Sequence, residues 1–356
     1  MDSLLLELLQ VALGRRDALS FLPTEKEWYA VFEESKRQAV AGIAFDGVQK
    51  LPREQWPQRT LLFEWIGLTE QIKQQNVYVD KQTAEIWKQL KDDGLKIAIL
   101  KGQGIAQEYG ELAPLRQSGD IDIWVKGGYQ IVCEYVQRTH PTDDVAYHRF
   151  HYDYFEDTEV ELHHRPTLMR NLLDDRKLAR WYNSFDVDSF VYLEKKGFAV
   201  PPLKFNRIFI LTHIYRHFLF EGIGLRQVMD YYFVLKSDGR KKKEDVMETL
   251  RSLRLTKFAE AMMWILHIQF GLEEEKLVCG MNEKEGRFVL SEIEQTGNFG
   301  YTDTRYQYKK FFKLRRQIAH GAHLLLHYPS EVIWTPIWLV YHRGWKWNKK
   351  RKIKNS

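Results

Sequence analysis

The sequence predicts an α+β protein in which a small mixed sheet, about residues 95–200, lies between N-terminal and C-terminal helical regions. Three observations predict it. Apolar residues recur at three and four spacing up to about Lys91, they alternate with polar ones between Leu95 and His164, and helical spacing returns from about Lys204. The expected divisions are 1–94, 95–200, 201–341 and a basic tail of 342–356.

The N-terminal region opens its second helical stretch with Thr24 followed by Glu27, a capping-box pattern ahead of Trp28, Val31 and Phe32. A longer helix is expected over Gln58–Lys91. After Asp93-Gly94 comes the apolar run Leu95–Leu100, then Lys101-Gly102-Gln103-Gly104 and a helix-like stretch to about Tyr109, so the order is strand, turn, helix. A loop with Pro114 and Arg116 leads to Gly119-Asp120-Ile121-Asp122-Ile123-Trp124-Val125, which has the period of a strand and ends at Gly127-Gly128. A helix to about Thr139 and a hairpin of 146–155 with 158–164 complete the unit. Further helices are expected over 208–220, 225–235, 244–253, 256–270 and near Glu285 and Lys309, with a turn at Asp238-Gly239 and Arg240–Lys243.

The 356 residues are 44% hydrophobic and 28% charged with 10 Pro and 22 Gly, which excludes a disordered or fibrous chain. Length alone suggests roughly two folded units. Cys133 and Cys279 are too few for a disulfide framework or a cysteine zinc site and are expected to be reduced. The N-terminus lacks a basic leader, and no apolar run approaches the roughly 18 residues of a membrane span, so a cytoplasmic address is expected. The net charge of +5 is uneven: Arg343, Lys346, Lys349, Lys350, Arg351, Lys352 and Lys354 close the chain with no acid among them. With Trp334, Trp338, Tyr341, Trp345 and Trp347 nearby, that tail reads either as a contact for nucleic acid or an anionic membrane, or as a solvated terminus.

Asp120 and Asp122 are the main chemical signal. Two apart on a strand, their carboxylates leave one face, close enough to share a divalent cation such as Mg²⁺, which takes oxygen ligands. Upstream, Gly102 and Gly104 allow backbone N–H groups to approach phosphate oxygens. Downstream, Glu159, Glu161 and His163 alternate on another strand, with His164 on its other face. His213 and His217 form an i, i+4 pair without a nearby acid at metal-site spacing, and read as structural. Arg226 and Asp230 read as an intrahelical ion pair or as a lip of the cleft.

Leu100-Lys101-Gly102, Pro114-x-Arg116, Gly119-Asp120-Ile121-Asp122-Ile123 and Val160-Glu161-Leu162-His163 resemble a family of poorly characterised bacterial nucleotidyltransferases in the DNA polymerase β-like superfamily. The resemblance is strongest over about 95–165 and weaker over 224–231. It implies Asp120, Asp122 and Glu161 as catalytic metal ligands, with Glu159 as a rival to Glu161, and two Mg²⁺ ions, Mn²⁺ being a substitute. It also implies nucleotide contacts from Lys101, Gly102, Gln103, Arg116, Gly119, His163 and Arg226. The turn departs from the superfamily pattern, because Gln103 stands where Ser or Gly usually follows Gly102. The implied activity is transfer of a nucleoside monophosphate from a nucleoside triphosphate to a hydroxyl or phosphate acceptor. The rival readings are an inactive nucleotide- or partner-binding protein on the same fold, and an adaptor acting through the tail.

Overall fold

A computed structural model describes residues 3–237, 239, 244–298 and 321–354. The N-terminal region holds α1 (Leu4–Ala12), α2 (Glu25–Arg37), α3 (Ala41–Lys50) and α4 (Arg59–Asp92). The capping box forms: Thr24 Oγ1 accepts from the Glu27 amide, and the Glu27 carboxylate accepts from the Thr24 amide at 2.7 Å. At 34 residues α4 is about 51 Å long. Its buried stripe runs from Leu61 and Trp65 through Ile72 and Val79 to Ile86 and Leu90, so one helix joins the N-terminal helices to the sheet.

The sheet has the order β1-β2-β4-β3, built from β1 (Ile97–Ile99), β2 (Ile121–Val125), β3 (Arg149–His151) and β4 (Val160–His163). β1 is antiparallel to β2, and β3 to β4, while β2 and β4 are parallel. A parallel pair needs a crossover, which α5 (Tyr129–Thr139) and β3 supply. Alternation then sorts the side chains. Ile121, Ile123, Val125, Val160 and Leu162 face a core shared with Val79 and Ile86 of α4 and Val132 and Val136 of α5. Asp122, Trp124, Glu161 and His163 leave the other face.

That second face meets the C-terminal helices. α6 (Leu172–Asn183) and the two-stranded β5 (Val191–Leu193) and β6 (Phe198–Val200) lead into α7 (Leu203–Phe220), α8 (Leu225–Lys236), α9 (Glu244–Ser252), α10 (Thr256–Trp264) and α11 (Glu283–Thr296). Trp124 stacks on Phe205 of α7 at 5.6 Å and anchors the sheet to them. A last helix, α12 (Pro329–Lys354), returns to the sheet.

Several elements differ from expectation. The helix after the glycine turn is two 3₁₀ stretches, Gly102–Gly104 and Ala106–Leu115, broken at Gly110, whose φ of 57° lies in the left-handed region. The hairpin strands are shorter than their alternation suggests, and α6 and the β5–β6 pair were not foreseen. The basic segment is helical where it is described: α12 runs through Lys354, Trp345 lies 5.2 Å from Tyr147, and Lys350 pairs with Asp143 at 2.7 Å. The expected turn at Arg240–Lys243 and helix near Lys309 lie outside the described residues. Among the described residues no helix is long and apolar enough to cross a membrane. Cys133 and Cys279 are not joined in a disulfide.

Candidate active site

The turn after β1 is shaped by its glycines. Gly102 has φ +48°, which side-chain-bearing residues adopt at a cost, and a Cβ on Gly104 would sit 2.4 Å from the Ile99 carbonyl oxygen. The Leu100 amide donates to the Asp122 carbonyl at 2.8 Å, tying the turn to the acid strand. Lys101 is thereby held over the acids, its Nζ 2.7 Å from Asp122 and 3.4 Å from Asp120.

The parallel register sets Asp122 directly opposite Glu161. Between them lies His163, whose Nε2 is 2.8 Å from Asp122 Oδ1 and 3.1 Å from Glu161 Oε2. Facing two carboxylate acceptors, that nitrogen carries the proton and donates. Ligand atoms of Asp122, Glu161 and His163 all lie within 4.8 Å of one another, and all three residues are buried. Arg149 on β3 pairs with Glu161 from the far side. Asp120 stands at the mouth, joined to Asp122 through Lys101 but outside the tight three-residue cluster. Glu159 is exposed and sits with Arg149 and, at 3.3 Å, His151.

These contacts set the charge states. Burial works against the Lys101 ammonium, but Asp120, Asp122 and Glu161 outweigh it and hold its pKa above the ordinary lysine value. Burial likewise raises Asp122, yet Lys101 and His163 win and keep it well below the usual carboxylate range. For Glu161 burial prevails, helped by the Asp122 charge, and its pKa rises. His163 is pushed down by burial and up by its two carboxylate partners, and the net shift is upward. Two neighbouring carboxyls are thus driven apart in acidity, a pattern that recurs at catalytic sites.

A cleft separates this face from α7 and α8. Lys101, Gly102, Gly119, Asp120 and Asp122 line one side, and Ile210, His213, Ile214, Arg226 and Gln227 the other. The room open to water inside it is about 20 Å³, one or two water molecules.

The remaining expected residues divide. Arg116 is buried in a two-pronged pair with Asp230, Nε to Oδ1 at 2.7 Å and Nη2 to Oδ2 at 2.9 Å, and Tyr109 donates to the same carboxylate at 2.5 Å. Asp230, for which either an intrahelical pair with Arg226 or a place at the lip of the cleft is expected, receives this fork from Arg116. Arg226 Nη1 donates to the Gln117 carbonyl at 3.1 Å and lies beside Gly119. Gln103 is turned to α4, where it donates to Asp80 at 2.5 Å. Sequence reasoning missed Arg149, although strand alternation places it toward Glu161, and it missed the buried row behind His163. In that row the His148 ring is 5.3 Å from His163, and Arg216 lies 3.4 Å from His148 and 2.7 Å from His217.

A strand-borne acid face beside a glycine turn, closed by helices, marks a nucleotidyltransferase class of protein. The chain belongs to a family described as uncharacterised nucleotidyltransferase, whose model matches residues 24–271 and so takes in the turn, the acids and α7–α10. No curated protein and no solved structure matches the chain.

Proposed function

We propose that the chain transfers a nucleoside monophosphate from a nucleoside triphosphate to a hydroxyl or phosphate acceptor, using divalent cations, Mg²⁺ or Mn²⁺. One observation carries this reading: the parallel β2–β4 register, which sets Asp122 against Glu161 with Asp120 at the mouth of a cleft. Carboxylate oxygens suit a hard cation, and the adjacent imidazole is compatible with Mn²⁺ as well. Asp120, Asp122 and Glu161 would hold the ions, with His163 orienting the last two carboxylates. When bound, such cations neutralise triphosphate charge and lower the pKa of the attacking hydroxyl.

The chain's own groups do the rest. Gly102 lets backbone approach the triphosphate oxygens, and Lys101 offers them a point charge from its place over Asp120 and Asp122. Arg226 forms the opposite lip, facing Gly119. Arg116 acts through Asp230, fixing the loop that carries Gly119 and Asp120. The catalytic unit is the 95–200 segment, with helices of the 201–341 segment as its far wall. A triphosphate needs more room than the cleft offers, so entry requires α8 and the glycine turn to part.

Radiolabel transfer from each nucleoside triphosphate, measured with Mg²⁺ in the parent and in Asp120→Ala, tests the proposal. Transfer should disappear in the variant, and equal transfer by both proteins would end the reading. Lys101 pairing with both aspartates also favours a second reading, nucleotide binding without transfer. Calorimetric binding with no pyrophosphate release over a long incubation would select it.

A further inference from the structure

Beyond the carboxyl end of β2 lies a second cavity, about 270 Å³, which shares no lining residue with the acid cleft. Its walls are mostly rings: Trp124, Tyr129, Tyr147, His164, Tyr182 and Trp345. A dry cavity of about 150 Å³ already accepts benzene, so this one has room for a bicyclic ring. It is not purely apolar. His164 is 7% exposed, and its Nε2 is buried with no hydrogen-bond partner, while Asn183 adds an amide at the wall. An unmade hydrogen bond at a buried nitrogen is a standing cost that a ligand can remove.

The ring geometry indicates how. Trp345 and His164 are nearly parallel, with planes 24° apart and centroids 6.5 Å apart, and Tyr129 stands edge-on to both. A flat ring laid on Trp345 therefore runs nearly parallel to the imidazole, and a turn of the His164 ring toward the cavity would bring the covered Nε2 to its edge. A ligand edge with a donor and an acceptor side by side satisfies either tautomer of His164. Nucleobases have that edge on a flat, stackable ring.

We propose that this aromatic cavity is a binding site for a small planar nitrogen heterocycle of nucleobase type, stacked on Trp345 and hydrogen-bonded to His164, separate from the acid cleft. The test is calorimetric titration of the full chain with adenosine, guanosine, cytidine and uridine, and with a short single-stranded oligonucleotide. At least one nucleoside should bind saturably. Its affinity should fall about tenfold in His164→Phe, which keeps the ring and removes the nitrogen, and vanish in Ala179→Phe, which fills the cavity from α6. Asp120→Ala should bind it as the parent does. Thermal unfolding of both cavity variants at the parent temperature confirms that a lost signal is lost binding. No nucleoside binding at millimolar concentration overturns the proposal. So does binding lost in Asp120→Ala but kept in both cavity variants, or binding of the oligonucleotide alone.

Discussion

The two faces of one sheet are built from alternate residues of the same two strands, yet they obey different rules. Toward α4 and α5, Ile121, Ile123, Val160 and Leu162 make a hydrocarbon core that asks only for volume. Toward α7 and α8, Asp122, Glu161 and His163 are almost as deeply buried, and each is held by a named charge partner. The contrast teaches that burial alone does not mark the site. A buried acid keeps its charge only where cations have been gathered to it, here Lys101, Arg149 and His163, and that gathering is what the second face is built for.

Breaking the charged face should have the largest effect. Asp122→Asn keeps the shape and removes the charge, and label transfer should fall roughly a thousandfold, several kcal/mol of charge stabilisation at about 1.4 kcal/mol per factor of ten. Single-turnover kinetics measure it, and retained transfer would detach Asp122 from the chemistry. Next comes the fork across the cleft. Arg116→Met leaves the buried Asp230 carboxylate without its partner, which should cost about 3 kcal/mol or more in urea unfolding, while adding Asp230→Leu should recover most of the loss.

Glu331 sharpens the comparison, because it is a buried acid held mainly by backbone. It accepts the Arg170 amide at 2.7 Å and the Asn171 amide at 3.2 Å, and burial pushes its pKa up from 4.5 to about 7. A raised carboxyl pKa means that the folded state holds the proton more tightly than the unfolded chain. Its contribution is therefore fully present below pH 4.5 and is lost as pH rises toward 7. Between those limits the parent should lose up to about 3 kcal/mol relative to Glu331→Gln. Parallel unfolding curves for the two proteins across that range would contradict this. The smallest effect belongs to the hydrocarbon face: Ile123→Val should cost about 1 kcal/mol in stability and leave turnover by the folded enzyme unchanged.

What could be read from the sequence was local. The Thr24–Glu27 cap needs three residues of separation, and the shared face of Asp120 and Asp122 needs only the period of a strand. The pairing of Asp122 with Glu161, 39 positions apart in the chain, depends on a parallel register that periodicity does not encode, and the family resemblance is what singled out Glu161. Gln103 with Asp80 and Arg116 with Asp230 are likewise long-range choices. The C-terminal segment did carry a signal. Trp334, Trp338 and Trp345 are spaced by four and seven, as on one helical stripe, while the density of lysines suits a solvated terminus or an anionic contact equally well.

Asp122 and Glu161, brought together by that register, are proposed to hold a divalent cation. Titration of Mn²⁺ followed by electron paramagnetic resonance, in the parent and in Asp122→Asn and Glu161→Gln, tests it most directly. The parent should take up Mn²⁺ saturably, and each variant should leave most of it free in solution. Equal uptake by all three proteins would contradict the account.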